Sequence, residues 1–306
     1  MTGEFELIRE ITADLPTGPG VVLGVGDDAA ALRFAGDAVV STDLMVENVH
    51  FKRVWSSARD IGRKAVAINV SDIESMGATP TAVVVALAVP KDTDPRWIRE
   101  LSDGVREECE RAGVSLVGGD MSRSATVTVC VTALGDLGDR PPVTRSGARP
   151  GDVVAVTGRL GWAGAGLAAL SRGFRSPKDV VAEAQCPTVP YGEGVVANDA
   201  GATAMMDVSD GLVQDLGHIA RASGVAVELD SSRLEVAEPM ERVGAATGKD
   251  PVGFVLGGGE DHALVATFPS AADVPAGWRV VGAVSEGEGV TVDGEVPEFT
   301  GWDHFA

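Results

Sequence analysis

Thiols are scarce in this sequence. Cys109, Cys130 and Cys186 stand far apart among 306 residues, and no CxxC occurs. Their number and spacing argue against a disulfide framework or a structural zinc site and suit a reducing cytoplasm. His50, His218, His262 and His304 form neither HxxxH nor HExxH, which argues against catalytic zinc. Positive charge is also in short supply, with 25 basic residues against 45 acidic ones and a formal net charge of −20. A chain so acidic has no basic face for nucleic acid and is repelled by anionic membranes. The longest apolar run, 81–90, is about half of what a bilayer requires. GxxxxGK[ST], the HRD and DFG pair and GxSxG are all missing, so neither a Walker-type nor a protein-kinase site is expected, and covalent catalysis has little support. The opening MTGEFELIREI carries acids where a secretory leader carries positive charge, so a soluble, cytoplasmic protein is expected.

What is present describes a two-domain globular enzyme. With 44% hydrophobic and 23% charged residues the composition is globular, and the length suits two domains of about 150 residues. Glycine, at 39 residues, is near twice its usual ~7% share, as in proteins that bring backbone close to a ligand. A short amphipathic helix opens the chain, followed by strands at 21–26 and 38–44, a helix over 58–77 and a buried strand at 81–89. The segment 95–113 reads as a helix with proline at its start and glycine at its end, and 125–135 as a strand. The stretch DRPPVTRSGARPGD (139–152) is the best boundary, giving expected domains 1–140 and 141–306. Beyond it come a strand at 152–158, helices at 161–172 and 188–200, a strand at 203–208, a helix at 211–222, a strand at 225–230, a helix near 238–247 and then β-rich sequence. The fold class is α+β (mixed α/β) in two domains.

Acids cluster where strands end. Asp27 and Asp28 lie in GVGDDAA, Asp43 in STDLMVENVHF, Asp120 in VGGD, Asp207 and Asp210 in DVSDGL, and Glu260 and Asp261 in GGGEDHAL. Singly, such an acid is most often a cap or turn residue. Five junctions, four flanked by glycine, argue for more. Asp72 falls on the apolar stripe of Ile61, Ala65 and Ile68, which leaves two readings open. Either it is an inward carboxylate that needs a cation or partner, or the helix breaks at 69–71 and Asp72 is a cap. Convergent carboxylates without thiols or a histidine pair suit Mg²⁺. A chain of this charge needs cations and glycine amides to hold polyphosphate, which points to phosphoryl transfer from a nucleotide.

The motifs GVGDDAA, STDLMVENVHF, NVSDIESMGA, VGGD, TRSGARPGD, DVSDGL and GGGEDHAL, in this order, resemble the thiamine-monophosphate kinases. That family belongs to the aminoimidazole-ribonucleotide-synthetase-like (PurM-like) ATP-binding superfamily, and the resemblance covers essentially the whole chain. It implies a PurM-like architecture, with an N-terminal mixed-sheet dimerisation and ATP domain and a C-terminal α/β domain. It implies ATP-dependent phosphorylation of thiamine monophosphate, several Mg²⁺ ions and a homodimer. Carried over motif by motif, it makes Asp28, Ser41, Thr42, Asp43, Asp72, Asp120, Asp207 and Asp210 metal ligands. Gly119, Asp120, Arg145 and Ser209 match ATP-contacting positions, and His50, Glu260 and Trp302 match positions that meet thiamine phosphate. Two departures stand out: the family's GGEDYEL is GGGEDHAL here, so His262 and Ala263 replace an aromatic and an acid, and the C-terminal aromatic, often Tyr, is Trp302. Two other readings remain: an amidine-forming synthetase of the same superfamily, and a non-catalytic nucleotide or metal sensor.

Overall fold

The computed structural model describes residues 4–13, 15–298 and 301. Its contacts divide the chain into two compact units, 1–73 with 78–139, and 74–77 with 140–306.

The first unit is built on a four-stranded sheet. Its elements are α1 (Glu4–Thr12), β1 (Val21–Leu23), β2 (Ala31–Leu32), β3 (Ala38–Val46), α2 (Ala58–Ser75), β4 (Thr79–Val89), α3 (Pro95–Ala112), β5 (Ser115–Arg123) and β6 (Thr128–Asp136). The sheet order is β3-β6-β4-β5, with β4 and β5 parallel and the other pairs antiparallel. Ile61, Val66 and Val70 of α2 and Val83, Val129 and Val131 of the sheet are fully buried, so the apolar periodicities of both elements meet in one core. Helix α3 starts where its caps dictate. Asp94 accepts from the Arg96 N–H, Pro95 takes the first position, and Gly113 closes the helix at φ 69°. The 21–26 segment yields only the three-residue β1, which pairs with the two-residue β2.

The second unit holds β7 (Val153–Thr157), α4 (Trp162–Ser171), α5 (Lys178–Gln185), α6 (Glu193–Asp199), β8 (Ala204–Val208), α7 (Leu212–Ser223), β9 (Ala226–Leu229), α8 (Glu238–Thr247), α9 (Pro251–Gly257), β10 (Ala263–Phe268), β11 (Arg279–Ser285) and β12 (Gly289–Val292). Its sheet runs β12-β9-β11-β7-β10-β8, antiparallel throughout except for β12 with β9. Met205, Leu264, Phe268 and Trp278 fill one cluster of its core, where the two aromatic rings meet edge to face at 5.7 Å. The helix expected over 188–200 is only α6, because Gly192 at φ 86° turns the chain immediately before it. Helices α5 and α9 were not foreseen. At eight and seven residues they are too short to show a periodicity, although Asp250 and Pro251 form a regular helix start. Among the described residues no helix is long and apolar enough to cross a membrane. The architecture is thus mixed α/β in two units, the fold class expected from the sequence.

Candidate active site

In the first unit, β3 and α2 are fastened together at their acids. Helix α2 runs unbroken through 69–71, so the capping alternative for Asp72 is overturned. Ser41 Oγ–H donates to Asp72 Oδ2 at 2.6 Å, and the Asp43 N–H donates to Asn69 Oδ1 at 2.7 Å. Asn69 is buried and in turn donates to the Ala65 carbonyl, which locks the strand-to-helix spacing. Strand alternation sends Ser41 and Asp43 to one face and Thr42 to the other. There the Thr42 hydroxyl donates to the Val131 carbonyl and accepts from Thr132.

Asp120 is placed differently. Register aligns Asp43 with Val131, Val85 and Gly119, whereas Asp120 aligns with Ala86, Cys130 and Leu44. Adjacent columns of a sheet point to opposite faces, so Asp43 and Asp120 of one chain do not share a face. Asp28 lies on the exposed connection between β1 and β2, where its N–H donates to Asp27. Among the described residues no three His, Cys, Asp or Glu side chains converge as a cation site. Beside Asp120 and Gly119, a largely apolar cavity of about 120 Å³ opens between α1, α3 and the β4–β5 pair, with Ile8, Ile11, Leu101 and Val105 in its wall. Gly119 is required where it stands, since a Cβ would come 2.2 Å from the Val85 carbonyl oxygen.

His50 sits in a tight turn after β3, its Nδ1 accepting from the Val46 N–H at 3.0 Å. That acceptor role at Nδ1 places the ring hydrogen on Nε2.

The second unit gathers the other motifs. DVSDGL leaves the end of β8 and GGGEDHAL leads into β10, its neighbour in the sheet. The two loops are strapped by main-chain bonds, Glu260 N–H to Ser209 O at 2.6 Å and His262 N–H to Val208 O at 2.8 Å. A Cβ on Gly259 would lie 2.7 Å from the Ser209 oxygen, so this approach excludes any larger residue. Glu260 and His262 both hold left-handed backbone, at φ 68° and 50°. Such strain in non-glycine residues is typical of functional loops. Asp207 is buried with Oδ2 2.9 Å from His262 Nδ1. Arg145 stands at the exposed surface, and its charge, after burial, holds the His218 imidazole below its ordinary pKa.

Two acids have structural roles that their motifs conceal. Asp261 is buried and receives the Gly161 and Ala163 N–H groups at the start of α4. Burial outweighs those two bonds and pushes its carboxyl up to about 7. Asp215, which sequence reasoning missed, reaches back from α7 to accept the Asp210 and Gly211 N–H groups. Burial first, and then the charge of Asp207, push it up to about 7. Its spacing of five from Asp210, one helical turn into α7, was the available signal. Trp302 lies outside the described residues.

Comparison with known proteins identifies the family. Residues 26–137 match the AIR synthase related protein N-terminal domain and 149–294 the C-terminal domain. The thiamine-monophosphate kinase of Mycobacterium tuberculosis strain H37Rv is 46% identical over 308 residues, covering 99% of this chain and 92% of that one. That of Corynebacterium glutamicum is 40% identical over 318 residues, covering 99% and 93%. A solved structure described as AaThiL complexed with AMPPCP and TMP matches with a TM-score of 0.83 at 33% identity, over 99% of this chain and 97% of that chain. With both domains and nearly its full length accounted for, the chain belongs to the thiamine-monophosphate kinase family.

Proposed function

We propose that this chain transfers the γ-phosphoryl group of ATP to thiamine monophosphate, giving ADP and thiamine diphosphate. The observation that carries the reading is the match over 99% of the chain to a kinase structure complexed with AMPPCP and TMP. The acceptor is itself a phosphate, largely ionised near pH 7, so no strong general base is required. Catalysis then rests on alignment for direct in-line attack and on offsetting charge.

The oxygen donors suit a hard divalent ion. In the first unit the ligands for Mg²⁺ are Asp28, Ser41, Thr42, Asp43, Asp72 and Asp120, and in the second Asp207 and Asp210. Several Mg²⁺ ions would supply the positive charge that a chain of net charge −20 lacks. Asn69 and Ser41 hold Asp43 and Asp72 at fixed spacing, so the carboxylates need little rearrangement to act. Gly119, Asp120, Arg145 and Ser209 bind ATP, with the apolar cavity beside Gly119 as the place for its base. The Arg145 guanidinium is a planar donor fork suited to a phosphate. His50 presents its Nε2–H to the acceptor phosphate, and Glu260 and Trp302 hold the thiamine portion.

The functional division follows domains 1–140, for ATP and Mg²⁺, and 141–306. The enzyme is a cytoplasmic homodimer, in keeping with three cysteines outside any disulfide and with Val40 and Leu44 of β3, which are 60% and 50% exposed on the sheet face that also carries Asp120 of β5. A second copy covering this apolar face meets Asp120, which the chain's own Asp43 does not share a face with.

The test is ADP release measured across acceptors. Thiamine monophosphate should support steady ADP production with thiamine diphosphate formed in equal amount. Transfer of oxygen from an amide substrate into phosphate would mark the synthetase reading instead. No turnover with any acceptor would favour a sensor.

A further inference from the structure

The carboxylate of Asp207 near the end of β8 is met by the ring of His262, the residue just before the neighbouring strand β10. Asp207 and His262 are both buried, and Oδ2 lies 2.9 Å from Nδ1. An ionised carboxylate can only accept, so Nδ1 carries the hydrogen and donates it. His262 cannot easily swing away. Its N–H is fixed to Val208 O, and the next residues pair in register, Ala263 with Val208 and Leu264 with Asp207. Its left-handed φ of 50° is a conformation the chain maintains at a cost.

We infer that His262 is a positioning residue, whose Nδ1–H holds the Asp207 carboxylate in the orientation that receives a divalent cation. The inference rests on the reading of Asp207 as a metal ligand. Partners of metal ligands act in this way generally, since they fix the orientation of the donor atom before the ion arrives. In this chain the histidine stands one residue ahead of β10, and the register of β10 on β8 together with its own N–H bond to Val208 fixes its place.

Mn²⁺ titrated into the metal-free full-length protein, followed by the electron paramagnetic resonance signal of the free ion, reads this directly without turnover. Comparison of the wild type with Asp207→Asn defines the bound ions that depend on Asp207. His262→Phe keeps a ring but removes the donor, and it should weaken those ions by about tenfold or more. In His262→Asn the amide nitrogen stands where Nδ1 was, and asparagine accepts left-handed backbone, so affinity should stay within about threefold of wild type. His262→Gln moves the amide to the Nε2 position and should weaken binding as His262→Phe does, which keeps the test open if the phenylalanine variant fails to fold. Thermal unfolding verifies each variant. Normal Mn²⁺ affinity in His262→Phe, with the dependent ions lost in Asp207→Asn, would overturn the inference and leave a packing role. Equal weakening in His262→Asn and His262→Phe would overturn it too, since the donor would then not be the cause. If Asp207→Asn binds Mn²⁺ like the wild type, the metal assignment itself fails and the inference with it.

Discussion

Asp72 shows how little separates a structural acid from a chemical one at the scale of a residue. It lies on the stripe that α2 turns to its sheet, where the Ser41 hydroxyl donates to it at 2.6 Å and offsets part of the cost of that position. In Asp72→Asn the amide oxygen can still accept from Ser41 and the negative charge is gone. The variant should therefore fold normally, with an unchanged or higher melting temperature, and lose nearly all turnover, at least about a hundredfold. ADP release beside a thermal melt checks both halves, and a less stable protein with normal turnover would assign Asp72 to the fold. Asp261 makes the opposite case. Its carboxyl titrates near the usual ~3.9 in the unfolded chain and at about 7 in the folded one. The folded state binds that proton more tightly, so the contribution to stability is full below about pH 4 and is lost as pH rises through about 7. Melting temperatures of the metal-free wild type should fall between pH 5.5 and 8, and Asp261→Asn should flatten the slope. A parallel pH dependence in the two proteins would refute the assignment.

Elements are held by close backbone approach as much as by side chains. Helices α2 and α3 cross at two glycines: a Cβ on Gly62 would lie 2.1 Å from the Leu101 oxygen, and one on Gly104 2.1 Å from the Arg59 oxygen. Neither contact can be relieved by a flexible side chain, because each acceptor is main chain. Gly62→Ala or Gly104→Ala should cost about 1–3 kcal/mol, from overpacking. Denaturant unfolding with unchanged m-value would measure it, and a loss under ~0.5 kcal/mol would mean the helices slide apart freely. These glycines were visible in the sequence only as unfavourable helix residues. Their reason is a helix crossing, which no local pattern encodes. Short helices escaped for a related reason: α9 has its Asp250 cap and α5 has no side-chain cap, and both have too few turns to display a period.

Across the whole molecule, net charge and exposed apolar surface set the behaviour. With formal charge −20, the chain repels triphosphate unless cations intervene. ATP affinity measured by calorimetry should fall by at least about tenfold when EDTA replaces Mg²⁺, and undiminished affinity would remove the metal ions from the mechanism. The apolar face of β3 makes an independent prediction. Val40→Glu and Leu44→Arg should each convert a dimer to a monomer in sedimentation, with activity lost in step. A monomeric wild type, or a fully active monomeric variant, would dissociate that surface from the site.

Composition, charge and the order of acidic motifs sufficed to indicate a two-domain α/β nucleotide enzyme, because hydrophobic period, caps and glycine–acid junctions are local properties. Strands β3, β4 and β6 and the long helices of the first unit were legible for that reason, as were the acids of the strand-end junctions as candidates, whereas β5 was not. Tertiary structure alone decided what each acid does. Asp261, inside a functional motif, became the anchor of α4, while Asn69, part of a helix break in one of the two open readings of Asp72, became the residue that sets Asp43 against α2. Sheet register placed Asp43 and Asp120 on opposite faces, and the pairing of β10 with β8 brought His262 to Asp207 across 55 residues of sequence. Those outcomes depend on which distant strands pair, and pairing is fixed by packing of the whole sheet rather than by any segment within it.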